Sequence, residues 1–213
     1  ALSIKLLDNV ELEDRCIISG TVILDLNGKT LTMIGEKNSG EAFGMRTGAD
    51  LTVRDSAGGG ALNGGEIGEN YYGSELICVR KDTALTLEGG TLTAASGKEG
   101  IQVQGGTFRM TGGKVVGGKA GSTESGGSIG SNFTGGSAIC FEYGSMTLTG
   151  GEAVGGEASA PNGYAVGGVA LKVNNDGYVE TDYVKLSNIS LTGGAVTAAN
   201  DDPVKAQGGN AIH

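Results

Sequence analysis

Apolar and polar residues alternate along this chain in short bursts, and the bursts recur. Five stretches align: "AFGMRTGADLTV" from residue 42, "LICVRKDTALTLEGGTLTA" from 76, "GIQVQGGTFRMTGGKVVGG" from 100, "AICFEYGSMTLTGGEAVGG" from 138, and "ALKV" from 170 continued by "ISLTGGAVTAA" from 189. A looser copy, "CIISGTVILDLNGKTLTM", begins at 16, and the closing "AIH" reads as the start of another. The unit is apolar-x-apolar, a turn, apolar-Thr-apolar, Gly-Gly, apolar-x-small, then a loop of variable length. Alternation with period two predicts strands, and no stretch carries the helical period. The Gly-Gly steps and Asn27-Gly28 are read as corners where glycine takes φ > 0.

Three short strands per irregular repeat are what a parallel β-helix requires, each strand pairing with its counterpart in the next coil. The alternation predicts four inward ladders: Phe43, Ile77, Ile101, Ile139 and Leu171; Met45, Val79, Val103, Phe141 and Val173; Leu51, Leu85, Phe108, Met146 and Ile189; and Val53, Leu87, Met110, Leu148 and Leu191. Stacked like residues bury a column that no single repeat buries alone. A β-sandwich ranks well below, because it gives equivalent residues no reason to recur. The expected fold is therefore all-β, a single domain over 1–213. Residues 1–41 form an N-terminal coil or cap and 42–213 the repeating coils, with Gly/Ser-rich loops such as 119–137 bulging from one side.

Composition narrows the classes. The 42 glycines lack a Gly-X-Y period, and 38% hydrophobic residues are too many for a disordered chain. A net charge of −9 argues against nucleic acid and anionic membranes. No apolar run is long enough to span a bilayer, and no signal sequence opens the chain, so a mature or excised fragment is expected. The three scattered cysteines do not make a disulfide framework.

The repeat resembles the right-handed parallel β-helix, pectate-lyase-like modules of large surface proteins in Gram-positive and gut bacteria. The opening "TVILDLNGKTLTM" is similar to the phrase that commonly begins them. That resemblance implies an extracellular, surface-attached and monomeric module, and it specifies fold far better than function.

Enzymatic chemistry finds little support. The outward column Asp25, Thr52, Thr86, Arg109, Thr147 and Ser190 holds no carboxylate pair. The only histidine is His213, which leaves nucleophilic triads dependent on that one position. "NND" at 174–176 and "NDD" at 200–202 read as turn residues rather than calcium ligands. No metal or cofactor is expected.

The middle residues of apolar-x-apolar face away from the core and form the column Gly44, Cys78, Gln102, Cys140, Lys172 and His213. Gln102 then lies between two cysteines. Cys78 and Cys140 stand roughly 9–10 Å apart on the usual strand spacing, too far for a disulfide, which needs Cα atoms within about 7 Å. One reading is incidental packing, since cysteine behaves as a small hydrophobe. The sharper reading is a thioester, in which a thiolate held against the Gln102 amide expels ammonia. Arg80, Lys81 or Lys172 favours the thiolate, and Tyr143 and Phe133 are candidate lids. This pair resembles the chemistry of thioester-containing adhesins of Gram-positive bacteria, which implies capture of a host-surface amine. Geometry leaves Cys78 and Cys140 open, with Cys78 favoured by its shorter connection to Gln102. Cys16 is expected to point inward. The sequence thus points to an adhesion module binding a host protein amine or glycan. A polysaccharide-binding or polysaccharide-degrading domain and an inert stalk are the alternatives.

Overall fold

The computed structural model describes residues 1–34, 42–64, 75–121, 132–160, 164–174, 183–198 and 206–213. Among them the protein is all-β, with no helix. The first repeats supply β1 (Leu2–Lys5), β2 (Val10–Leu12), β3 (Cys16–Ile18), β4 (Thr21–Asp25), β5 (Thr30–Met33), β6 (Phe43–Met45), β7 (Asp50–Arg54) and β8 (Ala61–Asn63). The middle supplies β9 (Ile77–Arg80), β10 (Ala84–Leu87), β11 (Thr91–Thr93), β12 (Ile101–Met110), β13 (Lys114–Val116), β14 (Ala120–Gly121), β15 (Asn132–Thr134) and β16 (Ile139–Leu148). The remainder are β17 (Glu152–Val154), β18 (Ala158–Ala160), β19 (Tyr164–Val166), β20 (Leu171–Val173), β21 (Tyr183–Leu186), β22 (Ser190–Thr192), β23 (Val196–Ala198) and β24 (Ala206–Gln207).

These strands pair in parallel with their counterparts in neighbouring repeats, in an 11-stranded sheet, a 7-stranded sheet and two 3-stranded sheets. The large sheet joins two rows of strands for a reason visible in the chain. Six steps separate the inward Val79 from Leu85, but only five separate Val103 from Phe108 and Phe141 from Met146. The shorter link leaves no room for a full turn. Thus β12 and β16 run through as 10-residue strands, whereas β9 and β10 remain separate.

The inward ladders hold across the middle of the molecule. Leu51, Leu85, Phe108 and Met146 are in register, as are Val53, Leu87, Met110 and Leu148, and all are buried. A third row, Leu31, Leu62, Leu92, Val115 and Ala153, completes the core from the 7-stranded sheet. The last repeat departs from the expected alignment. Met146 pairs with Val184 and Leu148 with Leu186, whereas Leu191 pairs with Ala153. Ile189 and Leu191 therefore do not extend those ladders, because β21 takes that place and β22 continues the 7-stranded sheet. Val173 keeps its register with Phe141 but is 42% exposed. In the outward column Thr52, Thr86, Arg109 and Thr147 are in register, extended by Ile23 and Lys185 rather than Asp25 and Ser190.

The Gly-Gly steps are of two kinds. Gly90, Gly113 and Gly151 have φ of 84°, 78° and 99° and turn corners as expected. The pairs at 117–118, 135–136, 155–156, 167–168 and 193–194 have no positive φ and serve close approach instead. Each pair lies where the chain leaves the main stack for the two small sheets or returns from them. Gly136 donates its N–H to Gly118 O, Gly156 to Gly136 O, Gly168 to Gly156 O and Gly194 to Gly168 O, each at 2.8 Å, and Gly209 donates to Gly194 O at 3.1 Å. The carbonyl that accepts one N–H also presses on the next glycine's Cα. A Cβ on Gly156 would overlap Gly118 O, one on Gly168 would overlap Gly136 O, and one on Gly194 would overlap Gly156 O. Such double use of a carbonyl, N–H···O and Cα–H···O together, is open only to glycine. Beyond this neck a second apolar cluster forms from Ala158, Ala160 and Ala165, with Phe133 and Val196 against it.

Candidate functional site

The column predicted from apolar-x-apolar exists. Cys78 pairs with Gln102, Gln102 with Cys140, and Cys140 with Lys172. Its members alternate with Ile77, Val79, Ile101 and Val103, which belong to the apolar core, while Cys78 and Cys140 do not. The two cysteines are nonetheless buried, at 0% and 1% exposure. The outer face of the sheet is thus covered at this point. Arg15 lays its guanidinium where a Gly44 side chain would stand, in the row beside Cys78. Arg80 meets the buried Glu75 at 3.8 Å.

One step further along the same outward face stand Gln104 and Glu142. The register between β12 and β16 slips at this point: Val103 pairs with Phe141, but Gln104 pairs with Tyr143. Glu142 is the extra residue of a β-bulge, which re-aims a side chain. It falls level with the gap between the two glutamines and holds both. Gln102 Nε2 donates to Glu142 Oε1 at 2.7 Å and Gln104 Nε2 donates to Glu142 Oε2 at 3.1 Å. A carboxylate only accepts, so both amides must face it with nitrogen. Their carbonyl oxygens turn back toward Cys78, whose thiol lies 3.8 Å from Gln102 Oε1 and 3.4 Å from Gln104 Oε1. One thiol, two carboxamides and one carboxylate are thus brought together.

Cys140 sits in a different environment. Burial pushes its thiol up to about 12, the nearby Glu99 and Glu142 add to the rise, and Lys172 only partly offsets it. Burial also raises Glu99, again eased by Lys172. Asn174 Nδ2 lies 4.0 Å from Cys140 Sγ. Of the two candidates, Cys78 is the one whose sulfur faces the amides, and Cys140 is held as a neutral thiol. Cys16 pairs in register with the inward Phe43 and packs against the core, and its thiol is likewise raised by burial.

The proposed helpers separate. Lys172 belongs to the Cys140–Glu99 group, Arg80 to Glu75. Lys81 lines a surface pocket of about 440 Å³ with Asp82, Thr83, Gly105, Gly106 and Tyr143. Tyr143 lies over Gly105, where a Cβ would come within 2.7 Å of its ring. Phe133 packs with the alanine cluster beyond the glycine neck and is not a lid. Gln104 and Glu142 were not foreseen, although extending the outward alternation by one step along "IQVQ" and "ICFE" reaches both.

Among the described residues no group of three His, Cys, Asp or Glu side chains is placed to hold a metal ion. Of the calcium candidates, Asn174 is described and 175–176 and 200–202 lie outside the described residues. No described helix is long and apolar enough to cross a membrane. No protein family, curated protein or solved structure matches this chain.

Proposed function

We propose that the parallel sheets wind into a right-handed β-helix, and that this is an extracellular module of a bacterial surface protein that attaches to host amines through an internal thioester. The bond joins Cys78 to one of the two glutamines beside it. The supporting observation is this juxtaposition: a fully buried thiol within 3.8 Å of two carboxamide oxygens whose nitrogens share one carboxylate. In forming the bond the sulfur attacks the amide carbon, the C–N bond breaks, and the thiol proton leaves with the nitrogen as ammonia. Fixed placement lowers the entropic barrier to that step. Burial then keeps water from the acyl carbon. A host lysine amine later displaces the sulfur, leaving an amide and a free thiol.

Intact-mass measurement tests this reading. The untreated protein is expected to lack the mass of one ammonia, and methylamine to replace the deficit with one added amide and one more titratable thiol. Full calculated mass with three titratable thiols after denaturation would sink it. A second reading, non-covalent glycan binding, draws on the Tyr143-walled pocket, since an aromatic face beside hydroxyl and carboxylate groups suits a sugar ring. Retention on a glycan column that is lost in Tyr143→Ala, in protein of full mass, would favour it.

A further inference from the structure

We infer that Gln104, and not the directly opposed Gln102, is the acyl donor, with Glu142 as the group that positions it. This rests on the thioester reading and specifies its chemistry. Three observations separate the two glutamines. First, Gln104 is nearer: its Oε1 lies 3.4 Å from Cys78 Sγ, against 3.8 Å for Gln102. Second, Gln104 is held more loosely. The thiol now meets both amides at the oxygen edge, and attack on carbon requires the amide to swing about its last torsion. That torsion is soft in glutamine, but a short charge-assisted bond resists it. Gln102 is fixed to Glu142 at 2.7 Å, whereas Gln104 is tethered at 3.1 Å.

Third, Gln104 is the glutamine next in the chain to a surface pocket. Gly105 and Gly106, the next two residues, line the 440 Å³ pocket, and its register partner Tyr143 forms a wall. The pocket has a structural origin. The link that is one residue shorter at 103–108, with two glycines in it, lowers the surface beside the Lys81–Thr83 turn. An amine entering there reaches an acyl group on residue 104 before one on residue 102. Gln102 lies between Cys78 and Cys140 in the paired column, away from that opening.

The balance is simple. The Sγ–H and Cδ–N bonds break, the Sγ–Cδ bond forms, and ammonia departs past the Glu142 carboxylate, which already accepts the amide N–H. No oxidant or cofactor enters. The test uses the whole protein and methylamine. Peptide mapping by tandem mass spectrometry is expected to place the methylamide on residue 104. Gln104→Ala should restore full mass before treatment, while Gln102→Ala should retain the ammonia deficit, with thermal melts confirming that both variants fold. A methylamide on residue 102, or a deficit that survives Gln104→Ala, overturns this assignment and leaves the thioester reading standing. Wild-type protein of full mass overturns both.

Discussion

Asp25 sits at a corner of the sheet where its carboxylate accepts the N–H of Asn27 at 3.1 Å and of Ser56 at 3.0 Å, and it meets Arg54 at 3.4 Å. The Ser56 bond leads in holding its pKa below the ordinary value, ahead of Asn27 and Arg54, while partial desolvation opposes them. A carboxylate whose folded pKa is depressed stabilises the fold fully above its unfolded pKa and loses that contribution as pH falls through the folded one. Urea titrations should therefore show wild-type stability falling more steeply below about pH 4 than that of Asp25→Asn; parallel curves would remove Asp25 from the account. The thiols give a second expectation at this scale. With its pKa near 12 and no exposure to speak of, Cys140 should resist a thiol reagent in the native protein at pH 8, and peptide mapping of the labelled sites reads this directly. The Cys78–Gln102–Cys140 alignment was legible in the sequence because alternation fixes which residues share a face. The Glu142 bulge was not, because "QVQGGTF" and "CFEYGSM" have equal length and a register slip leaves no trace in length.

At the scale of the element, two substitutions separate the kinds of packing. Val103 is wholly buried in the large sheet, so Val103→Asp should cost on the order of 4 kcal/mol by burying an unpaired charge, as measured by denaturant unfolding. An equally stable variant would reverse the assignment of faces along β12. The glycine neck fails differently. A methyl on Gly136 would overlap Lys98 O, and backbone cannot move aside as a side chain can. Gly136→Ala should thus destabilise by at least about 3 kcal/mol, while Gly48→Asn, at an open corner with φ of 80°, should change stability little, because asparagine tolerates that region. Comparable melting temperatures for the two variants would contradict the distinction. In the sequence all Gly-Gly pairs looked alike. Conformational freedom and close approach both select glycine, and only the neighbouring chain reveals which is at work.

At the scale of the whole molecule, the large sheet ends, among the described residues, in rows paired on one side only. Leu2 and Ile4 are 59% and 40% exposed on one side, and Val184 and Leu186 are 41% and 40% exposed on the other. They continue the ladders of β4 and β16, so position in the stack, not residue type, decides burial. Leu186→Lys should then shift stability by no more than about 0.5 kcal/mol, where Leu87→Lys should abolish folding, and differential scanning fluorimetry would show both. The same dependence on neighbours explains what the sequence yielded: strand type and register were clear in the middle repeats, where each copy is framed by two others. They failed in the last, where a long insertion separates β20 from β21. For the glycine neck the dependence has a consequence for how such a chain can change over generations. Nearly every neck glycine is matched to the backbone of glycines in neighbouring repeats, Gly118 meeting Ala95 and Lys98 instead, so a codon change at one of them meets backbone that cannot move aside and is expected to be purged. Loss or duplication of an entire repeat, by contrast, brings one matched pair against another and recreates the same contacts. Variation in this lineage should therefore accumulate in repeat number and in the segments between neck pairs, with the glycines themselves inherited as a block.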